Sequence, residues 1–143
     1  MSSMSQRKDA ESQRLDRDSL DKLSRIIITK GIQVHSKLGP GLLESVYRIC
    51  LVHELRKAAI RVVAEQLVPV IYDGVLQIDH GYRLDLLVED EVIVEIKAVE
   101  QILPVHTAQL LSYLRLTDRR LGLLLNFNAP RLVQGLRRVV NRF

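Results

Sequence analysis

Leu20, Leu23, Ile27, Val34 and Leu38 recur at roughly helical spacing among polar neighbours, predicting a first helix from Asp18, with Asp18 or Ser19 as N-cap. Gly39-Pro40-Gly41 ends the stripe, because proline is disfavoured inside a helix and the flanking glycines allow a tight reversal. A second helix is predicted over 42–59, with Leu43, Val46, Cys50 and Leu55 turned to the core. The period then changes. Residues 62–72 are β-rich, Asp73-Gly74 is a hairpin turn, and 75–78 return as a strand. Two further strands, 83–88 and 92–98, are joined through Glu89-Asp90-Glu91. A helix over 104–116 starts with Pro104 in its first turn. The apolar stretch 121–127 reads as a short interior strand, parallel to a neighbour because a helix precedes it, and a last helix is predicted over 130–140. The order ααββββαβα describes an α+β fold, an α/β sandwich built on one mixed sheet.

Composition sharpens this outline. At 143 residues the chain suits one domain, expected over 19–143, behind a polar leader over 1–18 that is expected to be disordered or frayed. Four Tyr, two Phe and no Trp leave little surface for stacking bases, which argues against single-strand binders of the OB or RRM kind. The lone Cys50 has no internal disulfide partner, and no Cys/His cluster offers a zinc site, so a reducing cytoplasm is the expected location. No signal peptide is visible and no apolar run is long enough for a membrane span. Residues 119–143 hold six arginines and no acid, a candidate phosphate-facing surface or simply a solvated basic helix. Arg119, Arg120, Arg131, Arg137 and Arg138 are its candidate contacts with a nucleic-acid backbone.

The chemistry concentrates in two strands that are otherwise almost wholly apolar. Asp85 interrupts one, and Glu95 and Lys97 interrupt the next. Burying an unpaired charge costs several kcal/mol or forces neutralisation, so three such charges need a reason. Strand side chains alternate, placing Glu95 and Lys97 on one face. A three-residue turn, Glu89-Asp90-Glu91, pairs Val88 with Val92, sets Asp85 opposite Glu95 and brings Arg83 opposite Lys97. A two-residue turn would put Asp85 on the wrong face, since a slip of one residue flips every side chain. The three-residue register is the one predicted. Two opposed acids repel unless a cation intervenes, and they make a hard oxygen pair suited to Mg²⁺. Lys97 or Arg83 could instead neutralise them in a purely structural ion-pair cluster.

Two helices contribute further polar groups. Glu44 and Tyr47 are three apart on one helix face, and a carboxylate in a first turn also suits the helix dipole. His106, Gln109 and Tyr113 share a face of the later helix. A lone helix-surface His is common. A half-buried amide such as Gln109 needs a partner, which a water, a phosphate or an active-site lysine would supply.

These residues, in this order, resemble the PD-(D/E)XK nuclease superfamily and, within it, the GxxExxY family. The GxxExxY motif stands as Gly41-Leu42-Leu43-Glu44-Ser45-Val46-Tyr47, the superfamily acid as Asp85, E-x-K as Glu95-Ile96-Lys97, and a RecB-like Q-x-x-x-Y element as Gln109 and Tyr113. The similarity covers about 20–143. Leu84 stands where the motif's name has Pro. The resemblance implies a restriction-endonuclease-like αβββαβ core with a central mixed sheet flanked by helices. It implies that Asp85 and Glu95 bind Mg²⁺ (or Mn²⁺), with the Ile96 carbonyl as an extra ligand and Glu44 holding the metal or its waters. Lys97 would position the attacking water or stabilise charge on the phosphate. Gln109 would orient Lys97 or the substrate, and Tyr113 would support the site, with Tyr47, Arg83 and His106 as further supporting residues.

The expected function is therefore metal-dependent phosphodiester hydrolysis of DNA or RNA. The alternative is a non-catalytic nucleic-acid-binding or assembly module that keeps the nuclease fold, because fold does not fix function. A homodimer or another protein partner stays open, as do the substrate and the mode of cleavage.

Overall fold

A computed structural model describes residues 14–142. Helix α1 spans Arg17–Leu38 and α2 Glu44–Lys57; then come β1 Val62–Tyr72, β2 Leu76–Val88 and β3 Val92–Lys97. Helix α3 is Pro104–Leu116, followed by β4 Leu121–Asn126, a 3-10 turn Leu132–Gly135 and β5 Leu136–Val140. The five strands form one open sheet in chain order. All neighbours are antiparallel except β3 and β4, which are parallel and therefore need the crossover that α3 supplies.

Strand alternation sends side chains into two cores. Val92, Val94 and Ile96 of β3 join Leu121, Leu123 and Leu125 of β4 under α1 and α2, where Leu20, Ile27, Leu51 and Leu55 are buried. Ile93 and Leu124 take the other face, against Leu110 and Leu114 of α3. Helices thus cover both faces of a mixed sheet, the α+β arrangement expected from the sequence.

The register between β2 and β3 follows the three-residue turn. Val88 pairs with Val92, Leu87 with Ile93 and Leu86 with Val94. Glu89 and Asp90 take left-handed backbone angles, and the Glu91 N–H returns to the Val88 carbonyl at 2.9 Å.

Several expectations need correction. The chain over 130–140 is a 3-10 turn and a strand, not a helix. Gly135 is packed so closely that a Cβ there would lie 2.5 Å from the Asn126 carbonyl oxygen, and the residues after it complete the free edge of β4, pairing Val140 with Leu121 through to Leu136 with Leu125. The segments 75–78 and 83–88 belong to one strand, β2, whose register shifts opposite Val68 to Val70. Gly81 lies in that shift, where a Cβ would meet the Val70 side chain at 2.4 Å. Helix α1 starts earlier than predicted because Asp16 is its N-cap, accepting from the Ser19 N–H at 2.7 Å. Helix α2 starts later, at Glu44, so Leu43 is its exposed N-cap and the buried face is formed by Tyr47, Leu51, Val52 and Leu55. Of the expected leader, residues 1–13 lie outside the described residues. Leu15 is tied down by its N–H to Glu91 and by Arg120, which donates to its carbonyl.

Candidate active site

The β2–β3 ladder stops one step before Asp85 and Glu95, and side chains take over the backbone bonds there. The Asp85 N–H donates to Glu95 Oε1 at 3.3 Å, and Asp85 Oδ2 accepts from the Ile96 N–H at 2.8 Å. The two carboxylates are thereby locked beside each other. Glu95 is only 7% exposed. Burial first, and then the negative charge of Asp85, push its carboxyl up to about 8, while the charge of Lys97 pulls in the opposite direction. The site therefore contains two acids that cannot both be comfortably ionised, with a lysine close enough to feel them.

Glu95 shares the α3 face with Ile93, and Tyr113 of α3 answers it there. Burial raises the Tyr113 hydroxyl above its usual range, and the charges of Glu95 and Asp85 raise it further. Tyr113 is stacked on Tyr82 of β2, with ring centroids 4.3 Å apart and planes 4° from parallel. Tyr82 is itself pushed up to about 12, chiefly by burial.

The other helix brings Glu44. Its Oε1 accepts from the Ala98 N–H at 3.3 Å, one residue beyond Lys97. Tyr47, one turn on, explains how Glu44 is aimed. Its hydroxyl donates to the Gly39 carbonyl at 2.6 Å and accepts from the Leu42 N–H at 3.0 Å, while its ring stacks on Phe127 at 4.6 Å. Gly39 and Gly41 both have positive φ, as this closed loop requires. Tyr47 is thus a buried fastener for the loop that presents Glu44.

Other candidate residues are placed differently. His106 accepts at Nδ1 from the Leu103 N–H at 3.0 Å and so caps the start of α3. Gln109 is exposed on α3 and its side chain makes no hydrogen bond among the described residues. Arg83 does not oppose Lys97; it turns to Glu65 at 3.5 Å, which Arg48 also approaches at 3.2 Å. Ile96 follows Glu95, gives its N–H to Asp85 and sends its side chain into the core on the other face.

The arginines divide by position. Arg119 and Arg120 precede β4, whose first residue pairs with Val92; Lys97 pairs with Asn126, five residues on, so the two ends lie about 16 Å apart along the strand. At that far end Arg119 pairs with Asp90 and Arg120 with Glu91. Arg138 pairs with Asp21 at 2.6 Å, and Arg131 is exposed at the start of the 3-10 turn. Arg137 is the one in line with the site: it pairs with Leu124, which pairs with Glu95. Residues directly opposite share a face, so Glu95, Leu124 and Arg137 form one row across three strands.

Two residues escaped the sequence reading. Asn126 is buried at the end of β4, where Oδ1 accepts from the N–H groups of Val99 and Asn128 and Nδ2 donates to the Val99 carbonyl at 2.9 Å. It clamps the chain leaving Lys97. Its one signal was a polar residue closing an all-apolar run. Tyr82 had no such signal.

Over residues 21–139 the chain matches the PD-(D/E)XK nuclease superfamily. The chain belongs to that superfamily. No curated protein and no solved structure matches it significantly. PD-(D/E)XK nucleases generally use divalent metals, and the donor set here can be tested against that requirement. Asp85 and Glu95 provide two adjacent hard oxygen ligands whose mutual repulsion a cation would relieve. Among the described residues no three His, Cys, Asp or Glu side chains are gathered as a metal-binding group. The pair fits a hard divalent cation that takes one or two carboxylates and keeps several waters. Among the described residues no helix is long and apolar enough to cross a membrane.

Proposed function

We propose that this PD-(D/E)XK protein is a GxxExxY-type nuclease that hydrolyses phosphodiester bonds in DNA or RNA with Mg²⁺ or Mn²⁺. The observation that carries the reading is the locked Asp85–Glu95 pair, with Glu95 buried, raised to about 8 and in the field of Lys97. The structural alternative needs Lys97 or Arg83 to neutralise these acids: Arg83 is engaged with Glu65, and the charge of Lys97 lowers Glu95 without offsetting burial and the charge of Asp85.

In this reading Asp85 and Glu95 hold the metal, with Ile96 and Glu44 at its margin. The ion would supply Lewis-acid polarisation of the phosphate and acidify a water. Lys97, on the Glu95 face, donates hydrogen bonds to a phosphate oxygen or to the attacking water and offsets charge that develops there. Tyr113 and Tyr82 stack on the α3 side of the acids. Gln109 and His106 lie on the same helix, and Gln109 has a free amide for Lys97 or substrate. Arg137 extends the row from Glu95 across the sheet and is the best placed of the arginines to meet a phosphate of the nucleic-acid backbone. Arg131 can join it, whereas Arg138 takes the opposite face of β5 and pairs with Asp21 of α1, and Arg119 and Arg120 belong to the far end. The single half-buried Cys50 is compatible with a reducing cytoplasm.

One observation favours a second reading, a nucleic-acid-binding module without cleavage: among the described residues no three-ligand group is assembled. The two separate in one experiment. Purified protein is incubated with single-stranded, duplex and branched DNA and with RNA, with Mg²⁺ or Mn²⁺ or with EDTA. The nuclease reading expects metal-dependent cleavage that Lys97→Ala and Glu95→Ala abolish. Cleavage that survives Glu95→Ala would sink the assigned site. Salt-sensitive binding without cleavage under either metal establishes the module.

A further inference from the structure

The chain leaving Lys97 and the turn after β4 enclose a hollow beside the candidate site. Lys97 pairs with Asn126, one strand spacing of about 4.8 Å away, and Asn126 lines the hollow. Its floor is fixed. Asn126 is buried and clamped to Val99, the Phe127 N–H donates to the Lys97 carbonyl at 2.8 Å, and buried Gly135 leaves no space for a side chain against Asn126. Arg137, in the row with Glu95, is exposed at the rim. Its Nη1 donates to the Gln134 and Leu136 carbonyls, which leaves its other N–H groups for a ligand. The hollow measures about 220 Å³, below the roughly 300–1,000 Å³ of pockets that enclose a whole drug-sized molecule, so it suits one ring system.

The polar groups of the hollow are unspent. Among the described residues the side chains of Glu100, Gln101 and Asn128 make no hydrogen bond or ion pair. Gln134 uses only Oε1, on the Arg131 N–H at 3.2 Å, and keeps its amide donors. Ile102 adds an apolar wall. A phosphate inside would meet the Glu100 carboxylate, so the lining rejects an anion. It suits a neutral, planar ligand with an amine beside a ring-nitrogen acceptor, because Glu100 only accepts and an amide NH2 donates. Adenine and cytosine present that edge. The amine of guanine sits beside a ring N–H, and thymine and uracil have no amine. We propose that the hollow is a base subsite, taking an unpaired adenine or cytosine from the nucleotide next to the cleaved phosphate. The proposal rests on the nuclease reading, and Arg137 meets the phosphate of the same nucleotide. A base enters such a hollow only from outside the duplex stack, so the substrate is single-stranded or locally unpaired there. The base is read by its hydrogen-bonding edge, the mode open to a chain with few aromatic rings.

Single strands of thymine or uracil test it, each made plain, with one central adenine, or with one central cytosine. Binding to the full chain is read by fluorescence anisotropy in EDTA, and cut positions are read with Mg²⁺ or Mn²⁺. Wild type is expected to bind the adenine or cytosine strand roughly fivefold or more tightly than the plain one, and to cut beside the inserted base. Glu100→Ala/Gln101→Ala should bring that ratio close to one and scatter the cuts. Both side chains are exposed, so circular dichroism and the melting curve should show an intact fold. If the hollow only holds solvent, losing the Glu100 charge tightens all strands equally and leaves the ratio unchanged, which overturns the proposal. A wild type that binds the strands alike, or binds none, overturns it too, and metal-dependent cleavage judges the nuclease reading separately. A base preference that the double variant abolishes, without cleavage under either metal, keeps the subsite and removes the nuclease reading.

Discussion

Glu95→Gln separates the electrostatics of the site from its catalysis. The folded protein holds the Glu95 proton up to about pH 8, whereas the ordinary carboxyl value, expected in the unfolded chain, is 4.5. Between these values the folded state binds more protons than the unfolded state, so stability falls as pH rises through the window and the full penalty is present above it. At about 1.4 kcal/mol per pH unit, a value raised from 4.5 to about 8 corresponds to roughly 5 kcal/mol. The Gln amide is neutral throughout and keeps an oxygen to accept the Asp85 N–H. Urea unfolding of metal-free protein at pH 5, 7 and 9 should show the two stabilities diverging, with the variant ahead at pH 9. Groups that do not feel the Glu95 charge cancel in the difference. The lowered carboxyls of Asp16 and Glu89 act on the acid side of the window. Adding Mg²⁺ at neutral pH should stabilise wild type by mass action and leave Glu95→Gln unmoved. A wild-type-minus-variant difference that does not change with pH, or a variant less stable at pH 9, would refute the reasoning. Asp85→Asn apportions the causes: burial acts more strongly than the Asp85 charge, so Glu95 should titrate lower than in wild type but still above 4.5.

Tyr47→Phe keeps the stack on Phe127 but orphans the Gly39 carbonyl and the Leu42 N–H; urea denaturation should show a loss of about 1–3 kcal/mol, and cleavage should fall with the placement of Glu44. Asn126→Ala removes the clamp on Val99 and Asn128 and should cost about 2–4 kcal/mol in the same assay. Lys97→Met removes the charge that lowers Glu95, so metal-dependent cleavage should vanish while the pH window of stability loss extends upward, as pH-dependent unfolding would show.

What the sequence disclosed follows from how local each determinant is. Strand alternation has a strict period of two, so the apolar pattern around Asp85 and Glu95 and a three-residue turn were enough to fix which acids face each other. The start of α3 was equally legible, because Pro104 restricts its own backbone. Strand β5 was not. Leu136-Arg137-Arg138-Val139-Val140 is compatible with a helix stripe, and what makes it a strand is the vacant edge of β4, which no local window contains. The arginines were misplaced for a related reason. Their spacing suggested one basic surface, but the carboxylates of Asp21, Asp90 and Glu91 that engage Arg138, Arg119 and Arg120 come from elements 29 or more residues away. Tyr47 shows the opposite failure: helix spacing placed it beside Glu44, and only the loop it fastens reveals that its hydroxyl faces backbone.

The same residue types do opposite work at the two ends of β3. At the Val92 end, Glu89 accepts from the backbone and side chain of Arg61 and is held below the usual carboxylate range, while Asp90 and Glu91 meet Arg119 and Arg120. Those acids are satisfied by the protein, so that end gains nothing from a cation. At the Lys97 end, an acid meets an acid, and Glu95 is driven up by burial and by Asp85. Unrelieved repulsion is a cost that folding sustains because the rest of the sheet supplies apolar burial on both faces. It is also the only stored electrostatic energy in the strand that a bound cation can release. In the proposed reading occupancy and stability are linked at Glu95, so a metal titration read by unfolding tests the site even before a substrate is known.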